Sequence, residues 1–190
     1  MENVANNNTN LLQRLNYILA AVKFEQSLFA LPFAYLGMLM AAGGLPTWWQ
    51  FLWITLALTG ARTLGMSANR IIDVAQDALN PRTADRSLVT GALKRWEMTA
   101  LATAGLVLLF ISAAMLNPVT LALAPVAAIA VVGYAYVKRF TWLTHFAIGW
   151  TDAIAPAGGW IAVTGTLSWE AVLLSLAVAT WVGGFDIFYT

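Results

Sequence analysis

The chain has 190 residues, 60% of them hydrophobic and 10% charged, with a formal net charge of +1. A water-soluble domain carries about 25% charged residues, so a composition with a mean hydropathy of +0.72 defines an integral membrane protein. The absence of cysteine excludes disulfide and thiolate chemistry, and without a basic stripe no nucleic-acid partner is expected.

In chain order, residues 1–14 come first, a polar, Asn-rich stretch without the basic start, apolar centre and small-residue cleavage site of a signal peptide. They read as a short disordered cytoplasmic lead to a membrane domain over 15–190. Six stretches then reach the ~20 mostly apolar residues that a bilayer crossing requires. They are 20–42, 48–70, 95–116, 118–137, 142–163 and 169–190. Helices are expected, because unpaired backbone groups cannot face lipid and no alternating pattern indicates a barrel. Arg14, Lys23, Arg70, Arg82, Arg86, Lys94, Arg95, Lys138 and Arg139 all fall at alternate connections, while those near 43–47, 117 and 164–168 lack Lys and Arg. Excess Lys and Arg mark the cytoplasmic side, so both termini and the charged loops are expected there, in the inner (cytoplasmic) membrane.

Charge is concentrated in one place: 10 of the 19 charged side chains lie between Arg62 and Glu97. Asn69, Asp73 and Asp77 follow at i, i+4 and i+8, which places three hard oxygen donors within ~80° of one helix face. Such a set suits Mg²⁺, which takes a few carboxylates and completes its shell with water and phosphate oxygens. Arg70, Arg82 and Arg86 lie near in sequence and can clamp a phosphate. Spacing alone leaves open a solvated loop of interleaved acids and bases, since the cost of an acid falls near the interface.

Residues 60–68 leading into NRIIDVAQDALNPRTADR resemble the first aspartate-rich motif of the UbiA-type intramembrane aromatic prenyltransferases. The Asn-Arg head and the following Asn-Pro-Arg-Thr are similar to the 4-hydroxybenzoate polyprenyltransferase branch. KFEQSLFALPF at 23–33, YAYVKRFT at 134–141 and APAGGWIA at 155–162 resemble that family's first helix, central basic loop and fifth helix. The resemblance implies an all-α integral membrane fold, with six transmembrane helices of an expected nine-helix bundle. It implies Mg²⁺-dependent transfer of a polyprenyl group from polyprenyl diphosphate to 4-hydroxybenzoate or a similar aromatic acid, in ubiquinone or menaquinone synthesis. Asp73, Asp77 and Asp186 are then the catalytic acids, Asn69, Asp73 and Asp77 the metal ligands. Lys23, Arg70, Arg82, Arg86, Tyr134, Lys138 and Arg139 bind substrate, with Lys23 directed at the acceptor's carboxylate.

Residues 181–190 resemble the entrance to the family's second aspartate-rich motif, with Asp186 its leading acid. Its later aspartates and three further helices are then expected beyond Thr190, so the chain reads as C-terminally truncated, and a diphosphate site without its opposite wall is expected to be poor or inactive. A phosphatidyl-alcohol transferase would want Asp-Gly-x-x-Ala-Arg after its first aspartate, which is absent here, and a transporter would want inverted repeats. A fragment without chemistry is the remaining alternative. His145 and Asp152, seven residues apart, share a helix face and are expected to pair or to pack. Trp48, Trp49, Trp96, Trp142 and Trp169 sit at span ends as interface anchors. Phe29, Phe33, Trp160 and Phe185 are candidate walls of a prenyl channel. Gly158-Gly159 and Gly183-Gly184 are expected to permit close helix approach, and Pro156 to kink its helix.

Overall fold

Apolar stretches punctuated by Gly, Pro, Asn and Thr give helices that stop where the sequence supplies a cap. The computed structural model describes residues 11–137 and 144–188, with the side chains of all of these except 11, 12 and 24–29. Eight helices follow one another: α1 (Leu11–Ala21), α2 (Phe24–Ala42), α3 (Trp48–Leu79), α4 (Arg95–Leu116), α5 (Pro118–Val137), α6 (Thr144–Asp152), α7 (Ile154–Thr164) and α8 (Trp169–Phe188). No strand occurs among the described residues. The first ten residues, Lys138, Arg139 and Trp142 lie outside them. Residues 11–14, read as part of the lead, belong to α1.

By length and composition alone, α4, α5 and α8 are long and apolar enough to cross a bilayer, and α2 contributes the apolar stretch Ala30–Ala42. Gly43 ends α2 in the left-handed region (φ 61°), and Thr47 and Gln50 form a reciprocal capping box that starts α3. At 32 residues, α3 is about 48 Å long, against a hydrocarbon layer of about 30 Å. Asn69, Asp73 and Asp77 lie on its last three turns. The helix runs past the apolar stretch that ends near residue 70 and continues to Leu79, as the shared face of Asn69, Asp73 and Asp77 requires, because the next helix-breaking residue is Pro81.

Small residues set the helix spacing. A methyl group on Gly60 would lie 2.7 Å from the Gly105 carbonyl oxygen, and one on Gly105 2.7 Å from Leu64 N, so α3 and α4 meet backbone to backbone. At the α2–α7 crossing, Cβ atoms at Gly37 and Gly159 would collide with the carbonyl oxygens of Pro156 and Ala34 respectively. Gly159 and Gly183 thus serve the close approach expected of them, while methyl groups on Gly158 and Gly184 would meet nothing. Ala34, Met38, Ile54 and Ala162 form one core where α2, α3 and α7 converge. Leu109, Ala113 and Ala124 form a second between α4 and α5, against Ala57 and Ala61 of α3.

The stretch read as one span at 142–163 is two helices among its described residues, parted at Ala153. Pro156 supplies no N–H to the carbonyl of Asp152 four residues earlier, so the discontinuity falls one turn before the proline. Asn117 closes the opposite end of the bundle. Its Nδ2 donates to the carbonyls of Ile161 (2.8 Å) and Ala162 (3.1 Å), and its Oδ1 accepts from Thr120 N (2.9 Å). It thereby adds a second donor to the Ile161 carbonyl, which already accepts from Gly165 N (2.8 Å), and satisfies the Ala162 carbonyl and an amide at the start of α5.

Gly159→Ala should lower stability by about 1–3 kcal/mol, the cost of forcing a methyl into a filled crossing, while the adjacent Gly158→Ala should be near neutral. Thermal unfolding in detergent measures both, and equal midpoints for the two variants would refute the backbone contact.

Candidate functional site

One stripe of α3 builds the wall of a large cavity. Ile54, Ala57, Leu58, Ala61, Arg62, Gly65, Met66 and Asn69 all line it, recurring at the three- and four-residue steps of one helix face. They extend along about 22 Å of helix. The cavity encloses about 640 Å³ and its wall is chiefly apolar, completed by Leu109 and Ala113 of α4, Val131 of α5 and Gly158 of α7. Its room comes from small side chains on α3 and α7. Phe33, Trp160 and Phe185, the aromatic candidates whose side chains are described, are not part of this wall. Phe185 is instead 54% exposed on the outer face of α8, because the inner face of that helix is taken by Ser175 and Ala179.

Polar groups gather at one end, where Arg62, Asn69, Tyr134 and Asp152 enter the lining. Arg62 Nη1 lies 3.6 Å from Asp152 Oδ1. The expected His145–Asp152 pair is therefore not formed: Asp152 meets α3, and His145 Nδ1 lies 2.8 Å from Asp186 Oδ2 on α8. A seven-residue spacing puts two groups on one face without aiming them at each other; each reaches across to a different neighbouring helix. Sequence reading also passed over Arg62 as a site residue. The available signal was a guanidinium between apolar turns of a spanning helix, a position that marks function by its cost.

Continuing past Asn69 along the stripe, Asp73 and Asp77 follow at four-residue steps, and both are buried. Arg86 Nη1 lies 2.6 Å from each of the two Asp77 carboxylate oxygens. Local chemistry explains how a residue nine positions away returns. Pro81 stops α3, Asn80 Oδ1 accepts from Arg82 N (3.0 Å), and the buried Thr83 hydroxyl donates to the Asp77 carbonyl (3.0 Å). The chain thus folds back over the end of α3 in a side-chain-mediated turn, with Arg82 exposed and Arg86 turned inward.

α1 closes this end. Ile18 and Ala21 pack on Ile71, Leu88, Leu93 and Met98. Arg14 Nη2 bonds Glu97 Oε1 (2.9 Å), and Glu97 Oε2 accepts from Lys94 N (2.7 Å) to cap α4. The buried Arg70 Nε donates to the Ala21 carbonyl (3.2 Å) at the negative end of α1. Lys23 joins α1 to α2 in the left-handed region (φ 47°), where a lysine is strained by about 1 kcal/mol. Burial, then the charges of Arg70, Arg86 and Arg82, push the Lys23 ammonium below the usual lysine value. Four cations share one electrostatic neighbourhood there, and a bound anion would relieve their repulsion.

The structure therefore brings Lys23, Arg70, Arg82 and Arg86 together beside Asp73 and Asp77, and puts Asn69 and Tyr134 on the cavity. Asp186, Asp152 and Asp73 all lie within electrostatic reach of the Tyr134 hydroxyl. Among the described residues no three carboxylate or imidazole groups converge on one point. The hard oxygens of Asn69, Asp73 and Asp77 on one stripe fit Mg²⁺ by type and face, although Arg86 already occupies both oxygens of Asp77.

Among its described residues the chain is an all-helical bundle with three helices long and apolar enough to cross a membrane, in which one stripe of α3 lines an apolar cavity and continues into the buried Asp73 and Asp77. A sequence model of the UbiA prenyltransferase family matches residues 30–190, and the chain belongs to that family. It is similar to a protoheme IX farnesyltransferase of Nitrosococcus oceani, 34% identical over 151 residues, covering 78% of this chain and 50% of that protein. A 4-hydroxybenzoate octaprenyltransferase of Saccharophagus degradans is 31% identical over 150 residues, covering 79% of this chain and 50% of that protein. Thus the chain spans about half the length of the curated relatives it matches. Among solved structures, the apo form of a UbiA homolog from Aeropyrum pernix superposes with a TM-score of 0.79 at 38% identity, over 87% of this chain and 62% of that one. A digeranylgeranylglyceryl phosphate synthase shares the fold at TM-score 0.81 and 20% identity, over 92% of this chain and 62% of that one.

If Arg62 and Asp152 hold each other across the cavity, Arg62→Met and Asp152→Asn should couple by about 0.5–3 kcal/mol in a double-mutant cycle. The readout is the unfolding midpoint in detergent, and additive effects would show that the two groups are independent.

Proposed function

We propose that the protein transfers a polyprenyl group from polyprenyl diphosphate to the ring of 4-hydroxybenzoate or a similar aromatic acid, for quinone synthesis. The observation that carries this reading is the single α3 stripe, apolar along the cavity and acidic where it meets four basic side chains. The prenyl tail lies in the hollow and the diphosphate lies among Lys23, Arg70, Arg82 and Arg86. Asn69, Asp73 and Asp77 would hold Mg²⁺, which when bound supplies positive charge to the leaving diphosphate. The guanidinium groups stabilise the same growing negative charge, and being already held by Ala21 and Asp77 they need little reorganisation. The C–O bond of the prenyl diphosphate breaks, the electrons leave with the diphosphate, and the allylic cation takes an electron pair from the ring before the ring proton is lost. Apolar walls keep water from that cation.

The acceptor's carboxylate belongs with Arg62 rather than Lys23. Arg62 lines the cavity, whereas Lys23 shares its surroundings with the phosphate-side arginines. Six crossings, with α6 and α7 forming one broken span and the charged loop on the cytoplasmic side of the inner membrane, complete the picture. They agree with the exposed Trp48, Trp49, Trp96 and Trp169, which suit the membrane interfaces. The 34% identity to a protoheme IX farnesyltransferase favours a second reading in which a porphyrin takes the prenyl group.

Membranes carrying the full gene product should attach a radiolabelled prenyl group to 4-hydroxybenzoate in a Mg²⁺-dependent manner, and Asp73→Ala should abolish incorporation. Undiminished product from that variant would sink the motif assignment, and label appearing only on protohaem would select the second reading. In the same assay, Arg62→Leu should raise KM for the aromatic acid more than for the prenyl diphosphate, and Lys23→Ala should do the reverse. A common effect on both substrates would dissolve the division of roles.

A further inference from the structure

α6 and α8 meet through their backbones. A methyl group on Gly149 would collide with the Ala179 carbonyl oxygen, and one on Gly183 would sit 3.1 Å from the His145 carbonyl oxygen. This approach brings His145 to Asp186, with Nδ1 2.8 Å from Oδ2. His145 is the one histidine of the chain, and prenyl transfer as derived above gives it no task. An ionised carboxylate only accepts hydrogen bonds, so the proton of this bond sits on Nδ1 whatever the state of Nε2. At 35% side-chain exposure the Asp186 carboxylate is half-buried, and the His145 contact is one of those that orient it.

We infer that His145 is a positioning residue: its Nδ1–H holds the Asp186 carboxylate in the orientation that prenyl transfer uses. The inference rests on the assignment of Asp186 as a site acid. Partners of this kind, which orient a group without touching substrate, cost about 10- to 100-fold when removed from comparable sites. Ring geometry makes the assignment specific. Asparagine Nδ2 occupies the place of imidazole Nδ1 relative to Cβ, whereas glutamine Nε2 lies one bond further out and mimics the other ring nitrogen.

Two measurements test it. In the 190-residue chain in micelles, ¹⁵N-labelled histidine gives a single imidazole; Nδ1 should carry a proton, and Asp186→Ala should move the ring toward the Nε2–H tautomer. An unprotonated Nδ1, or a spectrum indifferent to Asp186→Ala, overturns the inference without reference to activity. In the full gene product, His145→Ala and His145→Gln should lower kcat/KM by about 10-fold or more, with unfolding midpoints near wild type, and His145→Asn should restore most of it. Equal activity for the Asn and Gln variants means a packing role and overturns the inference. If His145→Ala is fully active while Asp186→Asn is dead, the inference fails and the proposed function stands. Full activity of Asp186→Asn removes the site assignment and this inference with it.

Discussion

At 32 residues α3 is the longest of the described helices, and one face of it carries two kinds of side chain that ordinarily exclude each other. Along the cavity its stripe offers Ile54, Ala57, Leu58 and Ala61, which cost nothing to bury and leave space. Further along the same stripe come Asp73 and Asp77, buried carboxylates that need partners. A break near residue 70 would lose the register between the two halves.

The hollow survives because the helices around it are spaced by glycine and alanine rather than by large side chains. Without a hydrophobic force between helices in lipid, packing depends on close backbone approach. Gly60 with Gly105, Gly37 with Pro156, and Gly149 with Ala179 supply it at three crossings. Three such contacts clamp the bundle at its edges, so the interior can remain unfilled. The discontinuity before Pro156 belongs to the same economy: it frees the backbone beside Asp152, whose side chain reaches Arg62 across the space.

At the charged end, three basic groups are held by other parts of the chain. Arg86 rests on Asp77, Arg70 on the Ala21 carbonyl, and Arg14 on Glu97. Arg14 is 44% exposed at its side chain, so its pair contributes under about 1 kcal/mol and serves to seat α1. The more buried contacts keep positive charges close together; burial and then that mutual repulsion push the Lys23 ammonium below the usual lysine value.

Helix periodicity and breakers are local, and the chain alone settled them: the ends of α4 and α5, the break near residues 43–47, and the face shared by Asn69, Asp73 and Asp77. Those features depend on neighbours within a few residues, so one sequence suffices to read them. Which face of one helix meets which face of another depends on rotations that no local pattern encodes. Hence His145 and Asp152, correctly placed on one face, take Asp186 and Arg62 as partners instead of each other. The aromatic residues Phe33, Trp160 and Phe185 look fit for a channel yet do not line it, and Arg62, one charge in an apolar run, becomes a cavity residue only when the helices assemble and bring Asp152 within reach. Tertiary packing decided these pairings because an ion or a hydrogen-bonding group between helices is satisfied by whichever partner the backbone approach brings within reach.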